Sequence, residues 1–465
     1  MAFDEDFHFG VIRIYAHHLS PFLTSQPKGA DMYGAVARDP SYLYHYLLSY
    51  PYRLVSSLTS NLSAQIITLR CLNILMFTGG LVIVRNLLQA LKAPNGVINL
   101  GLLLFVLIPI VPLLAAQINY DNAFIPLISY CLLLTLRYAE ILRLQHRCDI
   151  PSLLLLFIAC GFTSLIKYAF LPILVTIALY VAIETYLNLR RVKGPVMMRF
   201  SSTSPESHRF RTPLLALGVI VIAGLGIQRY GVNIVQYHTP IPDCGKVLSV
   251  HQCSAYGPWI RDYDYELNKV DDDNSPIVFT EDWLYGMWLR LYFAVDGPST
   301  QYETRGPLPV PGLSAIGLAG IGAVVLLVGI RRILRAYDRP AIILLVSTAG
   351  VYIVTLWLDE YRAYLRTGQP VAINGRYLLP FVAILFVLAG TSAFQLLRTR
   401  PKLLASLAAV TVLSQLWGGG ALTYILRSND SWYRSDKTVL AANHTVKNIF
   451  GPVTPGYKDP TKFLK

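Results

Sequence analysis

Residues 153–187 read LLLLFIACGFTSLIKYAFLPILVTIALYVAIETYL. The run is almost wholly apolar, yet Lys167 stands in its middle and Pro172 follows shortly after. As one helix it would overshoot the roughly 30 Å of hydrocarbon in a bilayer and bury an ammonium group. As two short helices meeting at a membrane face, with Lys167 at the turn, it incurs neither cost. That reading makes the chain an all-α, polytopic membrane protein.

Composition agrees. Hydrophobic residues make up 54% of the 465 residues and charged residues 14%, and the mean hydropathy is +0.46. A soluble domain carries about 25% charged residues. About ten apolar stretches are long enough to cross, alone or in pairs. They lie near 64–91, 97–118, 122–143, 152–167, 168–189, 213–230, 311–330, 340–358, 376–397 and 403–425.

The net charge of +13 does not point to nucleic acid, because the basic residues sit in short connections between apolar runs. These connections are Arg143 to Arg147, Arg190 to Lys193 with Arg199, Arg209 and Arg211, Arg331 to Arg339, and Arg398 to Lys402. The positive-inside rule places them in the cytoplasm. Five regions follow: an outer loop at 1–62, a transmembrane block at 63–230, an extracytoplasmic loop at 231–310, a second block at 311–425 and an extracytoplasmic tail at 426–465. Two outer segments are rich in aromatics and read as interfacial anchors. One is SYLYHYLLSYPYRL at 41–54; the other is EDWLYGMWLRLYF at 281–293, where Trp283, Met287, Trp288 and Leu291 share a helical face.

Cys244 and Cys253 are the cysteines expected outside the membrane. Their short separation and an oxidising compartment predict a disulfide bracing the loop 231–310. No CxxC occurs, so no zinc or redox motif is visible. Asp271, Asp272 and Asp273 read as a solvated loop tip.

The candidate chemistry lies on the outer face. The chain opens MAFDEDFHFG. Asp4 and Glu5 suit a general base or hard-oxygen coordination of a divalent cation, or else a solvated terminus. His8 shares their helical face, which suits a site pair or an ordinary hydrogen-bonded pair. Asp121, in Asn119-Tyr120-Asp121, serves a tight turn or orients a hydroxyl. Lys167 and Arg376 stand on the face that the positive-inside rule disfavours for cations. An anionic headgroup such as a lipid phosphate is a fitting partner; snorkelling or pairing with a nearby acid is the plainer alternative. Arg261, Arg290, Arg305, Arg362 and Arg366 share that face.

In this order, DEDFH at 4–8, INYDN at 118–122, LIKYAFLP at 165–172 and NGRYLLP at 374–380 resemble the GT-C-type membrane glycosyltransferases. The nearest likeness is to a bacterial family of predicted membrane proteins with a DE-x-x-H outer loop. The resemblance implies a GT-C-like fold and transfer of a sugar, hexosyl or pentosyl, from a polyprenyl-phosphate carrier to a glycan or lipid acceptor. It implies a plasma (inner) membrane enzyme of the cell envelope. Asp4, with Glu5 beside it, would be the catalytic carboxylate. Lys167 and Arg376 would hold the carrier phosphate, and His8 and Asp121 the substrate or a metal. GT-C proteins also carry a membrane helix before the Asp-Glu loop. The resemblance therefore implies a first helix upstream of Phe3, about eleven spans in the native chain, and an apolar groove on the helix of 64–91. A non-catalytic scaffold of envelope assembly and a lipid or sugar transporter are the competing classes. Transporters favour charges at the midplane on repeated, broken helices, and no repeat is visible here.

Overall fold

The computed structural model describes residues 4–146, 148–191, 208–269, 275–293, 310–418 and 437–457, with single positions between 422 and 428. Asp271 to Asp273 and Arg305 lie outside the described residues. Among the described residues every regular element is helical. Two helices open the chain, α1 (Glu5–Ala16) and α2 (Leu43–Leu58), followed by α3 (Leu62–Gln89), α4 (Asn95–Val106), α5 (Ile110–Ala115), α6 (Asp121–Gln145), α7 (Ile150–Ile166), α8 (Leu171–Arg191) and α9 (His208–Gly226). A π-helical turn, Ile227–Gly231, leads to α10 (Val232–Tyr237), and then come α11 (Cys244–Val247), α12 (Val250–Cys253) and α13 (Gly257–Leu267). The remainder is α14 (Pro276–Phe293), α15 (Val310–Ala336), α16 (Arg339–Thr367), α17 (Leu379–Leu396), α18 (Pro401–Gly418) and α19 (Lys437–Phe450).

Among the described residues, seven helical segments are long and apolar enough to cross a bilayer, and three shorter apolar helices, Asn95–Val106, Ile150–Ile166 and Pro401–Trp417, accompany them. The protein is a multi-pass helical membrane protein. The central span is α6, which packs against α3, α7, α8 and α17. Its apolar window is 72% buried, against 11% for the windows in Thr212–Tyr237 and Ser314–Ala336, which face outward along most of their length. Lipid tails do not drive apolar helices together, so close contact must. At Gly80 on α3 an added Cβ would stand 2.1 Å from Pro126 Cγ on α6, so glycine there lets the two helices touch.

The stretch around Lys167 is broken as its sequence demands. Helix α7 stops at Ile166, Lys167 is extended (φ −153°, ψ 120°), and a single 3-10 turn, Tyr168–Phe170, leads into α8. Because α6, α7 and α8 alternate in direction, Asp121 and Lys167 fall at one end of the bundle. Arg143 and Arg190 fall at the other. Lys92 pairs with Asp338 at 3.2 Å between the segments after α3 and before α16.

The two segments read as interfacial anchors each turn one face to protein and leave another exposed. In α2 and its N-cap, Tyr42 and Tyr44 are buried, and α2 lies on α1. In α14, Trp283, Met287 and Leu291 are buried on one face, and the Trp283 indole donates to the Glu360 carboxylate on α16. The residues do share a helical face, but that face is turned to protein. The opposite side of α14, with Ile277, Leu284 and Tyr285, is exposed. On α3, Ile67, Leu75 and Val82 are exposed, as on any spanning helix with one side turned to lipid.

Candidate functional site

Four segments far apart in sequence bring Asp4, Asp121, Lys167 and Arg376 to one end of the bundle. Asp4 is the N-cap of α1 in a left-handed conformation (φ 61°), one that aspartate tolerates better than most residues. Its carbonyl accepts from His8 N–H at 3.0 Å. Its Oδ2 accepts from an Arg376 guanidinium nitrogen at 2.5 Å.

Arg376 is held by its own loop and by α14. The Asn374 side chain accepts from the Arg376 backbone N–H at 3.1 Å. Gly375 is pressed against α14: an added Cβ would lie 2.3 Å from the Met287 carbonyl oxygen and 2.5 Å from Leu291 N. Arg290 of α14 donates to the Ile373 carbonyl at 2.5 Å. The Asn-Gly-Arg sequence therefore reads as structure: a side-chain cap, a residue without a Cβ, then the presented guanidinium.

Lys167 Nζ donates to Asp121 Oδ1 at 2.6 Å, with both side chains buried. Aromatic rings surround the ammonium, at 4.5 Å from the centroid of Tyr120, 5.2 Å from Tyr377 and 5.3 Å from Phe124. Such faces stabilise a desolvated cation. The Arg376 guanidinium lies 5.2 Å from the same Tyr377 ring, so one phenol separates the two cations. Asp121 opens α6, and its N–H donates to Asn119 Oδ1 at 2.9 Å. A helix N-terminus favours a carboxylate. Its second oxygen, Oδ2, is buried and has no hydrogen-bond partner among the described residues.

Glu5 lies beside Asp4 in sequence but in a different environment. It is 1% exposed. Its carboxylate takes a two-pronged grip from Arg70 of α3, at 2.8 and 2.5 Å, and a third bond from Ile118 N–H at 3.0 Å. All of this ties α1 to α3 and to the turn before α6. A carboxylate so engaged holds structure, with both oxygens already occupied.

His8 stacks on His45 of α2, with ring centroids 5.1 Å apart and Nδ1 2.9 Å from His45 Nε2. Burial disfavours the charged form of both imidazoles. His8 is pushed well below its ordinary value by burial, then by His45, Arg376 and Lys167. His45 is pushed down to about 3, chiefly by burial. The edge of His8 also meets the ring of Tyr120 at 4.5 Å.

Three residues of this assembly are absent from the sequence-based site: Arg70, His45 and Asn73. Arg70 carried a readable signal, a charge inside an apolar run that requires a partner. Asn73 is fully buried. Its Oδ1 accepts from Tyr44 at 2.7 Å and from Asn122 at 3.2 Å, so it pins the turn that carries Asp121. The remaining outer cations are occupied locally or exposed: Arg261 on Asp262 at 2.6 Å, Arg366 near Glu266 at 3.7 Å, and Arg362 at the surface.

Cys244 and Cys253 form a disulfide with Cα atoms 5.9 Å apart. Tyr256, just beyond it, lies against Gly34 and tilts toward the Phe7 ring at 6.3 Å. The disulfide loop thus rests on α1 close to Asp4.

The donor set does not fit a divalent cation. Among the described residues no group of three or more His, Cys, Asp or Glu side chains is gathered as metal ligands, and Asp4 and Asp121 each face a cationic side chain. No protein-family model matches the chain, and neither a curated protein nor a solved structure matches it.

Proposed function

We propose that the protein is a membrane glycosyltransferase that moves a sugar from a polyprenyl-phosphate carrier to an envelope acceptor at the outer face of a bacterial plasma membrane. The observation that carries the reading is the placing of a half-exposed carboxylate, Asp4, on the buried cation Arg376 at a bundle end, with buried Lys167, paired to Asp121, within electrostatic reach. In this reaction Asp4 removes the proton of an acceptor hydroxyl. The acceptor oxygen then bonds to the anomeric carbon of the donor sugar while the carbon–oxygen bond to phosphate breaks. The electron pair leaves with the phosphate, whose charge Arg376 and Lys167 hold. Fixed cations at a developing charge and a positioned base are both established sources of rate. His8, neutral at physiological pH, and the unpartnered oxygen of Asp121 are suited to sugar hydroxyls. Glu5, bound by Arg70, takes no part beyond placing α1.

The test is transfer from radiolabelled polyprenyl-phosphate sugars by the purified chain in lipid nanodiscs with envelope glycan and lipid acceptors. Asp4→Asn should lower turnover by about 10²–10⁴-fold, the usual worth of a general base. Wild-type protein that releases no sugar from hexosyl or pentosyl carriers would remove the reading. One feature favours a non-catalytic scaffold instead: Asp4, Glu5 and Asp121 are each bonded to a cationic side chain, as in a purely structural network. Wild-type inactivity with intact phosphate binding would support that class.

A further inference from the structure

The two ion pairs of the site are alike in chemistry and unlike in freedom. In Lys167–Asp121 the side chains are 7% and 4% exposed. In Arg376–Asp4 the guanidinium is 6% exposed but the carboxylate is 56% exposed. Asp121 is fixed at a helix N-terminus by Asn119, and Arg376 is fixed by Asn374, Gly375 and α14. Among the described residues, Arg376 is the one hydrogen-bond partner of the Asp4 carboxylate. Of the four groups, Asp4 alone has water beside it to turn to, and the buried Arg376 guanidinium that it leaves then needs another anion in its place.

The charges of the cluster also balance. Lys167 and Arg376 are met by Asp4 and Asp121, and all four lie within electrostatic reach of one another. An arriving phosphate makes that balance negative unless a carboxylate leaves. Coulomb repulsion in so dry a place is severe, and Asp4 is the carboxylate with water on its other side.

We propose that Asp4–Arg376 is an anion-released latch: a phosphate group takes the place of the Asp4 carboxylate on Arg376, and the freed carboxylate swings into the aqueous edge of the site. The proposal rests on the transferase reading only for what the freed Asp4 then does. While latched, the carboxylate is held on the guanidinium and is not free to reach an acceptor hydroxyl. Once released, it is free to do so beside the bound phosphate. The base is thereby armed by the donor headgroup, which guards the site against idle proton transfer before a donor is present.

The latch makes a counter-intuitive prediction. Asp4 competes with phosphate, so removing its charge should tighten binding. The full chain in lipid nanodiscs is titrated calorimetrically with inorganic phosphate and, separately, with a short polyprenyl phosphate. Asp4→Asn should bind about tenfold tighter than wild type, the scale of one charge-assisted hydrogen bond taken out of competition. Arg376→Gln should bind far more weakly. Tightening with the lipid probe alone identifies a lipid headgroup as the ligand; tightening with inorganic phosphate as well identifies a headgroup-sized site; both support the latch. Unchanged or weaker binding by Asp4→Asn, or no binding of either probe to any form, overturns it. Carboxyl footprinting of the wild-type chain, read by mass spectrometry, tests the same point without a substitution. Phosphate should raise the labelling of Asp4, and unchanged or reduced labelling overturns the latch. The transferase reading stands or falls separately, because it is read by sugar release and the latch by phosphate affinity.

Discussion

Asp121–Lys167 and Asp4–Arg376 set a carboxylate on a cation at nearly equal distances, 2.6 and 2.5 Å. The first is sealed between the start of α6 and the break after α7. The second is open on its acidic side. The sealed pair costs desolvation on both partners and is kept together because neither has an alternative. The open pair has water as an alternative on one side. The difference teaches that distance alone does not rank ion pairs; what each partner faces when the bond breaks does.

The largest effect should come from breaking the sealed pair. Lys167→Ala leaves the buried Asp121 carboxylate without its cation, and removing one member of a buried pair costs about 3–5 kcal/mol. A steep fall in Tm in detergent, rescued in part by the double change with Asp121→Asn, is the expected result. A Tm within a degree or two of wild type would show that the pair is wet and would erase the contrast.

Much of this contrast rests on features that the sequence displayed only in part. The break at Lys167 and the long apolar helices were legible because hydropathy and a misplaced charge are local signals, but the stretch near 97–118, read as one crossing, is two short helices, α4 and α5, parted at 107–109. Lys167 and Arg376 were readable because cations on the disfavoured face of a membrane protein need partners, whereas Asp4 and Asp121 joined them only through the resemblance of their motifs. Which acid meets which base was not readable, since the pairs span 46 and 372 residues and nothing local encodes them. Glu5 shows the limit most clearly. Next to Asp4 in sequence, it points the other way on α1, and its carboxylate is consumed by Arg70 and Ile118 N–H. Which aromatics of α2 and α14 are buried was not readable, for a related reason. Trp and Tyr suit a headgroup layer and a packed protein face equally well, and only the partner, such as Glu360 for Trp283, decides.

A second prediction probes the buried floor between the two pairs. His45 has its folded-state pKa lowered to about 3, whereas an unfolded histidine titrates near 6.5. Below about pH 6.5 the unfolded chain takes up a proton that the folded chain refuses. Stability is therefore fully present above that pH and is lost as pH falls, by about 1.4 kcal/mol per pH unit for this imidazole. His8 is lowered as well and acts in the same direction. Tm measured from pH 7.5 to pH 5 should decline, and the decline should be shallower in a His45→Gln protein. A flat profile in wild type would mean that water reaches the imidazoles, and the sealed half of the site would then be no drier than the open half.

The smallest stability effect should fall on the open pair, and it sharpens the comparison most. Asp4→Asn keeps an oxygen able to accept from Arg376 and removes one charge that was already half in water. Because Asp4 is half in water and the asparagine oxygen still meets Arg376, Tm should move far less than when the sealed pair is broken. Arg376 retains the ring of Tyr377 and its loop contacts, which were never supplied by Asp4. If Asp4→Asn instead melts the protein as Lys167→Ala does, the two pairs are structurally equivalent and Asp4 is simply a brace. If Tm holds while sugar transfer collapses, the carboxylate is present for chemistry. The fold would then be tolerating a weakly held, easily displaced charge at the position where a base has to be free to act.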